Sequence, residues 1–597
     1  MDSPSTFDEG FEAEPFQIKD ARTSETIQNF SKRRNSTSSV IDKYGRRESY
    51  RDQDSVLHYF VATNQSEELL DRYISTLITR FLNDPSPIYA IDWGSNVPDF
   101  KNTKIPVADS NSLSKYLLDL KENLVDKSTR TAAPQMIGHM TAALPYFHRP
   151  LSKLLTALNQ NVVKVETAST FTALERQTIA MLHNTFYARD LNFYDAYTQC
   201  PSVSLGVVCS GGTIANITAM WIARNKALGP DRDFPGISKA GLVEAMNHYK
   251  YSGAVIIGSE LMHYSFKKAA DLLGLGENGL CLIPTNDDYQ MRTDILTEKV
   301  KEYQSKNILV IAIVAIAGTT ETGSIDPIHE IVHIGFKHDV HVHVDAAWGG
   351  PLIFSNEHGR KLSGIDKADS ITVDGHKQLY TPLGIGILLL KSPASTSYIR
   401  KTAAYVIRQD SPDLGKYTLE GSRPANALYL HASLNLLGQE GLSILMTRSC
   451  TLVKQMSVRL NEHPSNAFQT FHNPQTNILL YRYIPSWMRN KEFSEDDLAV
   501  MNQFVQRIQK IQSGKQDGQP HPFTSRTTVM FKSHRTDAFR IVIANPLTQW
   551  QDIELLINDQ IRVGKIVEKQ FQHELKVKRF QQENHIDGWW PGWPYDI

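Results

Sequence analysis

Apolar and polar positions alternate along this chain in four successive textures. Residues 1–55 have neither helical nor strand periodicity and are predicted to be a disordered tail, because they offer too little apolar surface to offset the entropy of ordering. From Ser55 to Phe81 the positions Leu57, Phe60, Val61, Leu69, Leu70, Tyr73, Leu77, Ile78 and Phe81 recur at helical spacing. Helical patterns also cover 112–126, 151–165 and 171–189, so residues 56–165 read as a helical N-terminal segment used for packing or dimerisation.

Residues 166–424 look different. Apolar runs bounded by glycine or polar turns lie at 204–209, 254–258, 280–284, 308–317, 341–344, 371–373 and 384–390, giving seven candidate strands. Amphipathic helices separate most of them, such as 213–228 with Ile214, Ile217, Trp221 and Leu228 on one side. Near-continuous apolar strands alternating with helices predict an α/β domain whose mainly parallel sheet is covered on both faces. The run at 384–390 follows its predecessor too closely for a parallel crossover and is expected to run antiparallel. Residues 425–597 read as a small α+β domain. A long helix from Ala425 to about Arg459 is followed by a strand at 477–483, a helix opening at Ser494-Glu-Asp-Asp, strands at 526–531 and 538–544, and a helix from Gln549 to about Glu574.

Composition narrows the class. Apolar residues at 41% and charged residues at 21% are those of an ordinary globular protein, and a net charge of −1 gives no electrostatic reason for a nucleic acid or an anionic membrane as partner. No run approaches the ~20 apolar residues needed to span a bilayer. Cys200, Cys209, Cys281 and Cys450 follow neither disulfide-framework nor zinc-ribbon spacing, which suits a reducing compartment. The first residues carry Asp8, Glu9, Glu12 and Glu14 without an apolar core, unlike a secretory or transit peptide, so a cytoplasmic location is expected. Ser31-Lys-Arg-Arg-Asn-Ser36-Thr-Ser-Ser39 fits either a basophilic phosphorylation site or a plain solvated tail.

The chemistry concentrates at predicted strand ends, where open α/β sheets bind ligands. Ile371-Thr-Val-Asp-Gly-His-Lys377 ends a β-branched run in a lysine, and the preceding strand His341-Val-His-Val-Asp345 ends in a carboxylate. A lysine able to form an imine and an aspartate able to hold a pyridinium nitrogen are the protein groups that pyridoxal 5'-phosphate chemistry requires. Either alone is common; the pair on consecutive strand ends points to that cofactor. Gly206-Val-Val-Cys-Ser210-Gly211-Gly212-Thr213 is a strand, a glycine turn and a helix start, suited to phosphate, with Ser210, Gly212 and Thr213 as contacts. His263, after the strand at 254–258, could stack on a cofactor ring or simply cap locally. Ala317-Gly-Thr-Thr320 closes another strand with small and hydroxyl groups. His341 and His343 share a strand face near His338, yet no acid or cysteine stands at supporting spacing, so no metal is expected and His343 is placed in the cofactor pocket.

These residues resemble the group II pyridoxal-phosphate decarboxylases, the family of animal glutamate and aromatic amino acid decarboxylases. The resemblance rests on His343-Val-Asp345-Ala-Ala347, Ala368-Asp-Ser370 and His376-Lys377, and spans roughly residues 60 to 570. Phe539-Arg540-Ile-Val-Ile-Ala-Asn545-Pro546 with Gln551-Asp-Ile-Glu-Leu-Leu-Ile557 is similar to the glutamate decarboxylases. Met136–Phe147, Asp374–Pro382 and Thr418–Ala425 are similar to the pyridoxal-dependent aspartate 1-decarboxylases. The resemblance implies a fold type I architecture and a homodimer with the active site at the interface. It implies that Lys377 forms the imine, Asp345 binds the ring nitrogen and His263 stacks on the ring. Ala347 would pack the other face, Thr320 would lie near the ring substituents and His376 would contact the phosphate. In this family a mobile loop, here about 398–420, often carries a tyrosine that reprotonates the intermediate; Tyr405 and Tyr417 are available, and neither matches its position. The chain also departs from the animal enzymes in reading Asp374-Gly375 where they carry Asn-Pro.

The expected substrate is a small acidic amino acid, L-aspartate, decarboxylated to β-alanine. Arg540 would hold its distal carboxylate, and His139, in place of the glutamine-type contact of the glutamate enzymes, would shorten the pocket. The alternatives are a glutamate decarboxylase producing γ-aminobutyrate, another pyridoxal enzyme of the same fold such as an aldehyde-forming lyase, and a catalytically silent scaffold.

Overall fold

All seven apolar runs become strands of one sheet. They are β1 (Gly206–Cys209), β2 (Gly253–Ser259), β3 (Leu280–Ile283), β4 (Ile308–Ile316), β5 (His341–Asp345), β6 (Ser370–Asp374) and β7 (Gly386–Leu390), in spatial order β1-β7-β6-β5-β4-β2-β3. The computed structural model describes residues 40–41, 47–48, 64–84, 103–105, 113–403, 411–514 and 521–583. The phosphorylation candidates Ser31–Ser39, Tyr405 and most of the predicted tail lie outside the described residues.

The neighbours from β6 through β5, β4 and β2 to β3 pair in parallel, whereas β7 is antiparallel to both β6 and β1. Because β7 alone is reversed, the C-terminal ends of the other strands share one edge of the sheet. Burial is continuous rather than alternating, as expected for a sheet covered on both sides: after Ile308, all of β4 is buried. Ile257, Ile313, Val344 and Ile371 face one core, while Ile256, Ile311, Val314 and Leu388 face the other. Each such side chain contributes about 1.5–3 kcal/mol when fully buried.

The helices include α1 (Asn64–Asn83), α2 (Leu113–Leu120), α3 (His148–Leu158), α4 (Thr170–Tyr187), α5 (Gly212–Ala227), α6 (Ser265–Leu272), α7 (Ile328–His338), α8 (Ala427–Leu436), α9 (Gly438–Asn461), α10 (Glu495–Gly514) and α11 (Trp550–Glu583), with further helices at Leu242–Tyr249 and Thr293–Ser305 and shorter ones elsewhere. The described residues divide into two units at Thr79 and Arg80. In the first unit, Val40–Ile41 pairs antiparallel with Arg47–Glu48 inside the stretch expected to be without structure.

Three local differences from the sequence reading have physical causes. The pattern at 151–165 yields only α3, which stops where Asn159 turns left-handed at φ 44°. The long helix expected from Ala425 breaks between α8 and α9, where Gly438 adopts φ 66°. Within the segment read as helical, Met136-Ile137 is extended instead, between Pro134 and Gly138. Ile137 donates to Phe523 O (3.0 Å), and Val542 donates to Ile137 O (2.8 Å). This strip joins a second sheet, β8 (Phe468–Thr470), β9 (Ile478–Tyr483), β10 (Ser525–Phe531) and β11 (His534–Val542), antiparallel throughout in the order β8-β9-β11-β10. The three-residue β8 is too short for its periodicity to be legible.

Candidate active site

The strand C-termini enclose a cavity of about 310 Å³. Ser210, Gly212 and Thr213 reach it from the β1–α5 turn, His263 from the end of β2 and Thr320 from the end of β4. Asp345 ends β5 and Ala347 follows it, and His376 and Lys377 follow β6. The residues expected to touch the cofactor, His343 apart, therefore meet in one place, although β1 and β6 are far apart in sequence. Close approach is built in: a Cβ on Gly212 would stand 2.8 Å from Asp374 Oδ2, and one on Gly386 2.3 Å from the Gly211 carbonyl carbon.

Asp374 forms part of the floor. Its carboxylate is buried, with Oδ2 3.0 Å from Lys377 Nζ and 3.8 Å from His376 Nε2, while Oδ1 has no hydrogen-bond partner. His376 Nδ1 donates to Ile385 O (2.9 Å), which fixes its ring. The chain turns back after Lys377 through Tyr380 at φ 56°, a conformation that bulky side chains rarely accept. Packing holds it there, since Tyr380 is buried and donates to Ala544 O (3.4 Å).

Behind the cavity lies a directional hydrogen-bond network. An ionised carboxylate only accepts, and Asp345 accepts from Ala347 N (3.1 Å) at Oδ1 and from Asn216 Nδ2 (2.9 Å) at Oδ2. That orients the Asn216 amide, whose Oδ1 must then accept from His343 Nε2 (3.1 Å). His343 Nδ1 consequently accepts from Ser370 Oγ (2.9 Å), and Ser370 accepts from His341 Nε2 (2.8 Å). The second amide proton of Asn216 goes to Ser265 Oγ (3.0 Å), which donates to His263 Nδ1 (2.9 Å). His263 thus carries its proton on Nε2. Burial lowers the His263 pKa, Asp345 opposes that shift and Lys377 adds to it. Burial pushes His343 down to about 3 and His341 to about 4, so both rings are neutral.

The structure corrects the placement of His343, which is fully buried behind Asn216 and does not line the cavity. His341 and His343 do share a face, but both engage Ser370, and among the described residues no group of three His, Cys, Asp or Glu side chains is arranged to hold a metal. Tyr417 is buried in the apolar core that also holds Ile399 and Leu388, and it does not line the cavity.

Arg540 and His139 stand beyond the lining. Arg540, on β11, donates from Nε to the carbonyl of the lining residue Thr320 (2.7 Å) and from Nη1 to Ser525 Oγ (3.2 Å). Burial lowers its pKa to about 10, with Glu321 opposing, so it stays cationic at neutral pH. Burial raises the carboxyl pKa of Glu321, against the pull of Arg540. His139 stacks on Phe523 with ring centroids 5.6 Å apart, and partial burial together with the Arg540 charge lowers its pKa.

Asn216, Ser265 and the lining residue Trp348 were not singled out from sequence. Asn216 did leave a signal, as a polar residue one turn into a helix whose first half is otherwise mostly Ile, Ala and Thr. Trp348 donates from Nε1 to Asn477 Oδ1 (3.0 Å), and Asn477 Nδ2 donates to Gln378 Oε1 (2.9 Å), tying the cavity wall to β9.

Chemically, the cavity presents an amine, a glycine-turned helix start open to an anion, a buried carboxylate and an imidazole N–H. Comparison with known proteins agrees with this inventory. The profile of the pyridoxal-dependent decarboxylase conserved domain matches residues 99–484. A protein named aspartate 1-decarboxylase from Aliivibrio fischeri is 38% identical over 531 residues, covering 86% of this chain and 94% of that protein. Human acidic amino acid decarboxylase GADL1 is 26% identical over 476 residues, with 77% and 83% covered. The crystal structure of mouse CSAD has a TM-score of 0.73 at 20% identity over 84% of this chain and 99% of that one, a likeness of fold.

Proposed function

The chain belongs to the pyridoxal-dependent decarboxylase family, an amino acid decarboxylase with pyridoxal phosphate as its cofactor, and on that premise we propose that it converts L-aspartate to β-alanine and carbon dioxide. The observation that carries this reading is the convergence of Lys377, Asp345 and His263 on one cavity, with the Arg540 guanidinium bonded to the backbone carbonyl of its lining residue Thr320.

The residues fit the cofactor. The start of α5 leaves backbone N–H groups for a phosphate, and the cradle at Gly212 is one that a Cβ would fill. When bound, the cofactor supplies an aldehyde carbon for amines and an electron sink for the pair left behind when carbon dioxide departs. In our assignment Lys377 supplies the anchoring amine, and Asp374, within 3.0 Å of Nζ, accepts its hydrogen bond. Asp345 holds a proton on the ring nitrogen. His263 stacks on the ring and Ala347 packs its other face, with Thr320 beside the ring substituents. Ser210, Gly212, Thr213 and His376 hold the phosphate.

Arg540 pairs with the distal carboxylate of the substrate, and His139 limits its length. One methylene is worth about 1–3 kcal/mol in such a pocket. The name of the Aliivibrio relative supports aspartate. Glutamate competes because a guanidinium reads any distal carboxylate.

We further read the chain as a cytoplasmic homodimer with the active site at its interface; the exposed apolar side chains Leu144, Tyr146, Leu154 and Leu158 along and before α3 support a second copy. Residues 425–597 are read as the small domain that brings Arg540 to the cavity. The test is kcat/KM for L-aspartate and L-glutamate with product identification. Preference for aspartate with β-alanine formed is expected, and a clear preference for glutamate would overturn the substrate assignment.

A further inference from the structure

We propose that Asn216 is a positioning residue that presets two cofactor-facing groups at once, orienting the Asp345 carboxylate through one amide proton and the His263 ring through the other. The inference rests on the assignment of Asp345 to the ring nitrogen and His263 to the ring face. It concerns a residue to which the reaction itself assigns no part.

The Asn216 side chain is 1% exposed and all its hydrogen-bonding groups are engaged: Nδ2 with Asp345 Oδ2 at 2.9 Å and Ser265 Oγ at 3.0 Å, and Oδ1 with His343 Nε2 at 3.1 Å. Two donors and one acceptor in these directions are the property of an amide. An aspartate would set one carboxylate against another, and a leucine would leave Asp345, Ser265 and His343 each short of a partner. The first donor aims the Asp345 carboxylate as an acceptor, the role in which it can hold a ring proton. The second fills an acceptor site of Ser265, whose hydroxyl proton then goes to His263 Nδ1 at 2.9 Å, leaving the imidazole proton on Nε2. A flipped amide would turn Oδ1 toward the Asp345 carboxylate, so the 2.9 Å contact with Asp345 sets the orientation and His343 Nε2 braces Oδ1 at 3.1 Å. The network is built from β5, β6, α5 and α6, all of which converge behind the cavity.

The experiment titrates the full-length apo protein with pyridoxal phosphate and with its deaza analogue, in which carbon replaces the ring nitrogen. Wild type should bind pyridoxal phosphate more tightly. In Asn216→Ala that preference should shrink by about tenfold, roughly one hydrogen bond to a charged group, while affinity for the analogue stays within about threefold of wild type. In turnover, kcat should fall about tenfold or more with substrate KM nearly unchanged. Undiminished preference would overturn the proposal, and so would equal weakening of both ligands, since that marks a residue that merely fills space. Should Asn216→Ala not fold, His343→Gln retains Asn216 and removes the ring that braces its Oδ1; a smaller loss of the same preference is expected, and none would overturn the proposal. Asp345→Asn separates the two levels. If it keeps the full preference, the ring-nitrogen assignment itself fails. If it loses the preference while Asn216→Ala keeps it, only the present proposal fails.

Discussion

Replacing Arg540 with methionine removes the guanidinium while keeping an unbranched side chain of comparable reach. Two consequences can be separated. The Thr320 carbonyl loses its donor at 2.7 Å and Ser525 Oγ its partner at 3.2 Å, which costs about 1–3 kcal/mol of stability if the carbonyl is left unpaired. A fall of a few degrees in Tm is therefore expected. The substrate loses charge-assisted bonds to its distal carboxylate, worth about 1.5–3 kcal/mol, so kcat/KM for L-aspartate should fall by about 10- to 200-fold. Affinity for pyridoxal phosphate should hardly change, because Arg540 is not among the residues assigned to the cofactor. Arg540→Lys keeps the charge but cannot serve Thr320 and a carboxylate with one planar fork, and should lie between the two. The assay is initial-rate carbon dioxide release with quantified β-alanine, alongside a cofactor titration. Retention of kcat/KM within about twofold in Arg540→Met would refute the role of Arg540, and a proportional loss of cofactor affinity would show that the substitution had collapsed the cavity instead.

Lys377→Ala should abolish turnover and leave no cofactor covalently attached after borohydride reduction, as read by intact mass; appreciable decarboxylation would sink the assignment. Asn477→Ala should lower Tm markedly, because Trp348 Nε1, Gln378 Oε1 and the Ile543 carbonyl all lose a buried partner at 2.9–3.0 Å, each worth about 1–3 kcal/mol; an unchanged Tm in a thermal scan would mean the tie between Trp348 and β9 is dispensable. His183, His341 and His343 are pushed by burial to about 4, about 4 and about 3, below the unfolded value near 6.5. Their neutral forms thus contribute stability present above about pH 6.5 and lost as the pH falls toward those values, up to about 1.4 kcal/mol per unit for each ring. Tm should drop steeply from pH 6.5 to 4, and a flat profile would refute the burial of these rings as neutral species.

Elements that depend on local pattern follow from residue order alone. A run such as Ile308–Ile316 is too apolar to survive except with both faces covered, and the short connection from β6 to β7 forbids a parallel crossover. A lysine and an aspartate at successive strand ends, and a glycine turn before a helix, carry their chemistry in residue type and spacing, so the cavity wall was legible in advance. What needed the tertiary structure were relations between residues far apart in the chain. That β1 pairs with β7, that Met136-Ile137 joins the sheet carrying Arg540, and that Asn216 bonds Asp345 follow from how layers pack. Periodicity records which face of an element is buried, and it is silent on which buried partner it meets. A polar residue in an apolar helix face announces only that some partner exists; for Asn216 the partners were chosen by the packing of α5 against β5, β6 and α6, and for His343 the same packing replaced a cavity-lining position with a buried one.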